Sequence, residues 1–78
     1  MAQSQSADAN APTAAQAKLI NDLQSHVSRA RFNERTGNVI AAIKPSDDYH
    51  GAYLAAEEHG FEPHVFDTSD YSLSVSFK

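Results

Sequence analysis

The sequence predicts an α+β fold, with two helices packed on one face of a small three-stranded sheet that ends in an antiparallel β-hairpin. Three observations predict it. Tyr71-Ser72-Leu73-Ser74-Val75-Ser76-Phe77 alternates apolar and polar residues without a break, the pattern of a strand with one buried and one wet face. Asn38-Val39-Ile40-Ala41-Ala42-Ile43-Lys44 is a short apolar run, rich in β-branched residues and bounded by turn formers. Two further segments carry apolar residues at spacings of three and four, as helices with one buried stripe do.

In chain order, residues 1–12 contain no large apolar residue except Met1, too little to offset the entropy of ordering. We expect a disordered tail there and a single small domain over 13–78. Thr13-Ala14-Ala15-Gln16 matches a capping box, and Leu19, Ile20, Leu23, Val27 and Ala30 then form one stripe. The expectation is a helix over 14–31. A rival reading ends it near Val27, because Arg29-Ala30-Arg31-Phe32 also alternates and Thr36-Gly37-Asn38 can close a hairpin onto the next strand. The apolar run 38–44 follows as a strand that is central in the sheet or covered on both sides.

Pro45-Ser46-Asp47-Asp48 reads as a helix start, with Ser46 as the N-cap and two aspartates near the positive end of the helix dipole. Tyr49, Ala52, Tyr53 and Ala56 make its stripe. Gly60 ends it in the left-handed conformation, with Phe61 folding back in a Schellman contact. Gly51 weakens the helix interior, and close approach to the sheet is one reason to keep it. Pro63-His64-Val65-Phe66 is the next strand, at a sheet edge because proline lacks an N–H. Residues 67–70 are a tight turn, with Phe66 opposite Tyr71 and His64 opposite Leu73 on one shared face. The expected core is Leu19, Ile20, Leu23, Val27, Val39, Ile43, Tyr49, Ala52, Tyr53, Ala56, Phe61, Phe66, Tyr71, Leu73, Val75 and Phe77.

Composition narrows the chemistry. The chain has no cysteine, hence no disulfide and no thiolate ligand or nucleophile. Small secreted domains lean on disulfides, so a cytoplasmic location is expected. No stretch approaches the roughly 20 apolar residues of a membrane helix, and no cationic region precedes an apolar run as in a signal peptide. The net charge is −4, unevenly spread. Residues 13–45 carry five cations against two carboxylates, and residues 46–78 carry seven carboxylates against one lysine.

No motif points to catalysis or to a cofactor, and no enzyme activity is expected. His59 and His64, with Asp67 and Asp70, have no recognised metal spacing, and a histidine at a helix C-terminus is explained by the dipole. The serines lie in no nucleophile elbow. Asp47-Asp48 and Glu57-Glu58 are adjacent on a helix and do not face one another. Gly37, Gly51 and Gly60 form no phosphate loop.

Two interaction readings remain. In the first, the chain is a small non-enzymatic protein-binding or regulatory module, an adaptor or inhibitor of the kind phages and mobile elements encode, monomeric or homodimeric. Its contacts would be the Ser72, Ser74 and Ser76 face, an exposed edge strand, Leu54 on the outer side of its helix, and the acidic Glu57 and Glu58. In the second, Arg29, Arg31 and Arg35, with Phe32 among them, bind nucleic acid by phosphate pairing and base stacking. The acidity of the whole chain weighs against it.

Overall fold

Thr13 opens the first helix as its capping box predicts. Its hydroxyl accepts from the Gln16 N–H (3.1 Å), and the Gln16 side chain accepts from the Thr13 N–H (2.9 Å). A computed structural model describes residues 11–69 and 71–78. Ten of the twelve residues expected to form a disordered tail, and Asp70 of the expected turn, lie outside the described residues.

Helix α1 spans Ala14–Leu23, well short of residue 31. The apolar spacing continues past it because a single turn does. The Val27 N–H still donates to the Leu23 carbonyl (2.8 Å), and Val27 is buried, but no helix follows. Ser25, His26 and Ser28 are weak helix formers, while Arg29–Asn33 pairs as a strand, β1. A turn over 34–37 joins it to β2, Asn38–Ile43, in antiparallel register with Ala30 opposite Ala41. The rival hairpin reading therefore describes this junction, and the sheet has four strands instead of three.

Helix α2 is Tyr49–Glu58, and Asp48, not Ser46, is its N-cap, accepting from the Gly51 N–H at 3.0 Å. Asp47 lies one step earlier, where its carboxylate accepts from the Lys44 N–H (2.8 Å) and the Ser28 hydroxyl (2.9 Å). The turn into α2 is thereby tied to the segment before β1. The far end is a Schellman motif as expected. Gly60 takes φ +82°, its N–H donates to the Glu57 carbonyl (3.1 Å), and the Phe61 N–H donates to that of Ala56 (2.8 Å).

Strands β3 (Pro63–Thr68) and β4 (Leu73–Phe77) complete an antiparallel sheet of order β1-β2-β4-β3. Strands β2 and β3 run parallel to each other on either side of β4, with α2 as the crossover. The β3–β4 register differs from the expected one. His64 pairs with Ser76 and Thr68 with Leu73, with a bulge at Phe66 between Val65 and Asp67. The strand runs two residues further than read, and Ser69 and Ser72 close the link to β4, the Ser69 N–H donating to the Ser72 carbonyl (2.9 Å).

Both helices lie on one face of the sheet. Leu19, Leu23, Ala52, Ala55 and Ala56 are buried with Ala30, Val39, Ala41, Ile43, Val75 and Phe77 in one cluster. Ile20, Tyr53, Phe61 and Leu73 pack at its margin. Three expected core residues are outside it: Tyr49, Phe66 and Tyr71 are 48%, 60% and 78% exposed. Ala30, Ala41 and Ala55, absent from the expected core, are buried in it. Of the two expectations for β2 the first holds: it is central, between β1 and β4, with its odd positions buried and its even ones half-buried.

Leu23→Ala should cost about 3 kcal/mol by leaving a cavity between the layers, whereas Tyr71→Ala should cost less than about 0.5 kcal/mol. Urea melts of both variants check this; a Tyr71→Ala loss as large as that of Leu23→Ala would overturn the assignment of the buried face.

Candidate interaction surface

The helix-free face of the sheet is defined by register. One row across it is Arg31, Ile40, Ser76 and His64, and the next is Arg29, Ala42, Ser74 and Asp67. Phe66 falls on the same face by alternation from His64, and the bulge keeps Asp67 there with it. Phe66 separates two shallow clefts. The larger, about 650 Å³, runs from Arg29 and Arg31 past Ile40 and Ala42 to Ser74 and Phe66. The smaller, about 250 Å³, holds Ile40, Ser76, His64 and Lys78 against the other side of Phe66. Arg29 and Arg31 are exposed, and neither meets a carboxylate at ion-pair distance among the described residues.

The expected serine ladder is only partly present. Ser74 is half-buried and Ser76 buried (8% exposed), flanked in its row by Ile40 and His64. Ser72 has left the strand: it closes the β3–β4 turn, donating its N–H to the Ser69 hydroxyl (3.2 Å). Leu54, Glu57 and Glu58 are exposed on α2, as helical spacing predicts, but α2 lies beyond the opposite face. The structure does not bring these six residues together.

The arginine cluster is divided as well. Arg29 and Arg31 share the open face, Phe32 points to the helix side opposite Val39, and Arg35 lies in the turn, its N–H donating to the Asn33 side chain (2.9 Å). The aromatic on the open face is Phe66, which sequence reasoning put in the core. The sequence held no local signal for this, because Val65 and Phe66 are both apolar and either face of the strand could have been the buried one.

The other concentration of polar chemistry joins the helices. His59 Nε2 lies 3.1 Å from Asp22 Oδ2, His26 Nε2 lies 4.0 Å from Asp22 Oδ1, and His26 Nδ1 lies 3.0 Å from Asp48 Oδ2. The chain runs from the C-cap of α2, through the end of α1, to the N-cap of α2. It is a clamp on both ends of α2. His59 and His64 do not meet; His64 neighbours Glu62 at 3.7 Å. Among the described residues no three His, Cys, Asp or Glu side chains converge on a metal-sized site. A cleft of about 360 Å³ lies at the entry to α2, lined by Ile43, Lys44, Tyr49 and Leu73, with Tyr49 tilted on Tyr53 at 4.6 Å.

The clamp explains Gly51. A Cβ there would strike the Asp48 carboxylate and the His26 ring, so the close approach is to this clamp and not to the sheet. The Gly51 amide, aided by His26, holds the Asp48 carboxyl below the usual aspartate range. The Lys44 amide, aided by Ser28, does the same for Asp47.

Among the described residues no helix is long and apolar enough to cross a membrane. Comparison with protein-family models, curated proteins and solved structures gives no match.

Two outcomes are expected. Gly51→Ala should not give the gain of about 1 kcal/mol that alanine normally brings to a helix interior, because it displaces the Asp48 cap. A full gain in a thermal melt would exclude the clamp geometry. Asp47 and Asp48 titrate lower folded than unfolded, so their stabilisation is present above 3.8 and is lost as pH falls below it. Melting temperature against pH should therefore drop more gently on the acid side for the D47N/D48N variant than for the parent; parallel curves would refute this.

Proposed function

We propose that this chain is a small non-enzymatic protein-binding module of the cytoplasm, an adaptor or inhibitor that receives its partner on the open side of the sheet. The observation that carries this reading is the uncovered face itself. Ile40, Ala42 and the exposed Phe66 form an apolar strip over which the described residues place no second layer, bordered by Arg29 and Arg31. Exposed aromatic and arginine side chains around an apolar centre are the residue types that dominate protein interfaces. The clefts are shallow, which suits a partner surface better than an enclosed substrate.

A second reading is favoured by one specific feature. Arg29, Arg31 and Phe66 share a face, so phosphate pairing and base stacking on single-stranded nucleic acid would use the same strip. Phe66 takes the stacking role that sequence reasoning assigned to Phe32.

Affinity capture of the tagged chain from its native cell, with and without nuclease, separates the two. We expect one dominant protein that survives nuclease, is lost with Phe66→Ser and is kept with Leu54→Ser. Loss with Leu54→Ser alone would move the interface to the acidic side of α2. Partners that vanish with nuclease, with binding that falls steeply as salt rises, would replace the protein reading with the nucleic-acid one.

A further inference from the structure

The two edges of the sheet are unlike. Edge strand β3 begins at Pro63, which has no N–H to donate, and is bent by the bulge at Phe66. Both features discourage a strand from adding there. Edge strand β1 has neither, and it pairs with β2 residue for residue from Arg29 to Asn33.

Its free side can be read from one hydrogen bond. The Gln24 side-chain amide donates to the Ala30 carbonyl (3.4 Å), so Ala30 turns its polar groups away from β2. Alternate residues of a strand face the same edge, so Phe32 turns its N–H and carbonyl outward too. Among the described residues only Gln24 engages this edge. No described residue engages the outward Ala30 N–H or the outward polar groups of Phe32.

The side chains of β1 select what can pair with it. Arg29 and Arg31 line the open-face side of the strand without a carboxylate partner, and Ala30 and Phe32 line the helix side. A second copy of β1 added antiparallel, centred on either Ala30 or Arg31, would set arginine against arginine, which is unfavourable. A strand with carboxylates on one face and apolar residues on the other would meet both sets correctly. The chain's own Glu57 and Glu58 are on α2, across the sheet from the two arginines.

We propose that β1 is a strand-addition site for an extended acidic peptide segment, with acidic and apolar residues alternating so that carboxylates pair with Arg29 and Arg31. This deepens the protein-binding reading and rests on it, naming the edge that is used and the chemistry of the segment.

The probe is a short fluorescent peptide of alternating glutamate and valine, titrated into the full chain and followed by anisotropy. Saturable binding is expected. N-methylation of alternate peptide amides on the ladder side should abolish it. The R29E/R31E double variant should weaken it on the order of tenfold or more and should instead bind the lysine–valine version. Both arginines are exposed, so the variant should melt with the parent, which the same samples check. No binding, indifference to N-methylation, or indifference to charge reversal would each overturn the proposal. Stronger binding of a single-stranded oligoribonucleotide that displaces the peptide would overturn it in favour of nucleic acid. If cellular capture is lost with Phe66→Ser but unaffected by R29E/R31E, the open face is the interface and the edge is not, so the two readings fail separately.

Discussion

The ladder between β2 and β4 is the constraint on which the other elements depend. Val39 opposite Phe77, Ala41 opposite Val75 and Ile43 opposite Leu73 put the large side chains of both central strands on one face. A slip of β4 by one residue against β2 would send Leu73, Val75 and Phe77 to the other side and bring Ser74 and Ser76 under the helices. Everything else is hung on that face. Strand β1 contributes Ala30 to it, and α1 and α2 cover it with Leu19, Leu23 and three alanines.

Small residues make the covering layer thin, and polar contacts then hold it in place. Ala52, Ala55 and Ala56 present little bulk to the core, so α2 gains less from burial than a leucine-rich helix would. Its position is held at its two ends. Asp48 caps the first turn, Gly60 and Phe61 close the last, and the run of contacts through Asp22, His26 and His59 ties both ends to α1. Gly51 belongs to this arrangement, since the space a side chain would occupy holds the Asp48 and His26 side chains. A glycine that looks like a defect in the helix is a condition for its attachment.

With the helices confined to one side, the molecule carries two surfaces of opposite character. The outer side of α2 is acidic, with Leu54 exposed beside Glu57 and Glu58. The open sheet face carries Arg29, Arg31 and an exposed Phe66. Asp67 lies at the far end of the row that begins with Arg29, and among the described residues neither arginine has a carboxylate at ion-pair distance. The two sheet edges are equally unlike, one interrupted by Pro63 and a bulge and the other regular.

Features that depend on near neighbours were legible from the sequence alone. The Thr13 capping box, the Gly60–Phe61 Schellman turn and the alternation of Leu73, Val75 and Phe77 each involve residues a few positions apart, and each is found where its pattern predicts. Features that depend on distant partners were not. Val27 and Ala30 fit a helical stripe, yet Ala30 is in a strand because β2 pairs with Arg29–Asn33 residue for residue. Asp48 displaces Ser46 as cap because His26, far away in sequence, helps fix its carboxylate. Phe66 is exposed because β4 sets Ser76, and not Leu73, opposite His64, which puts His64 and, two residues on, Phe66 on the open face. The sequence by itself determined the local turns, caps and alternation, since these are settled within a few residues. The tertiary structure alone decided which edge of the sheet stays regular and which side chains meet on its open face, because both follow from pairings between strands far apart in the chain.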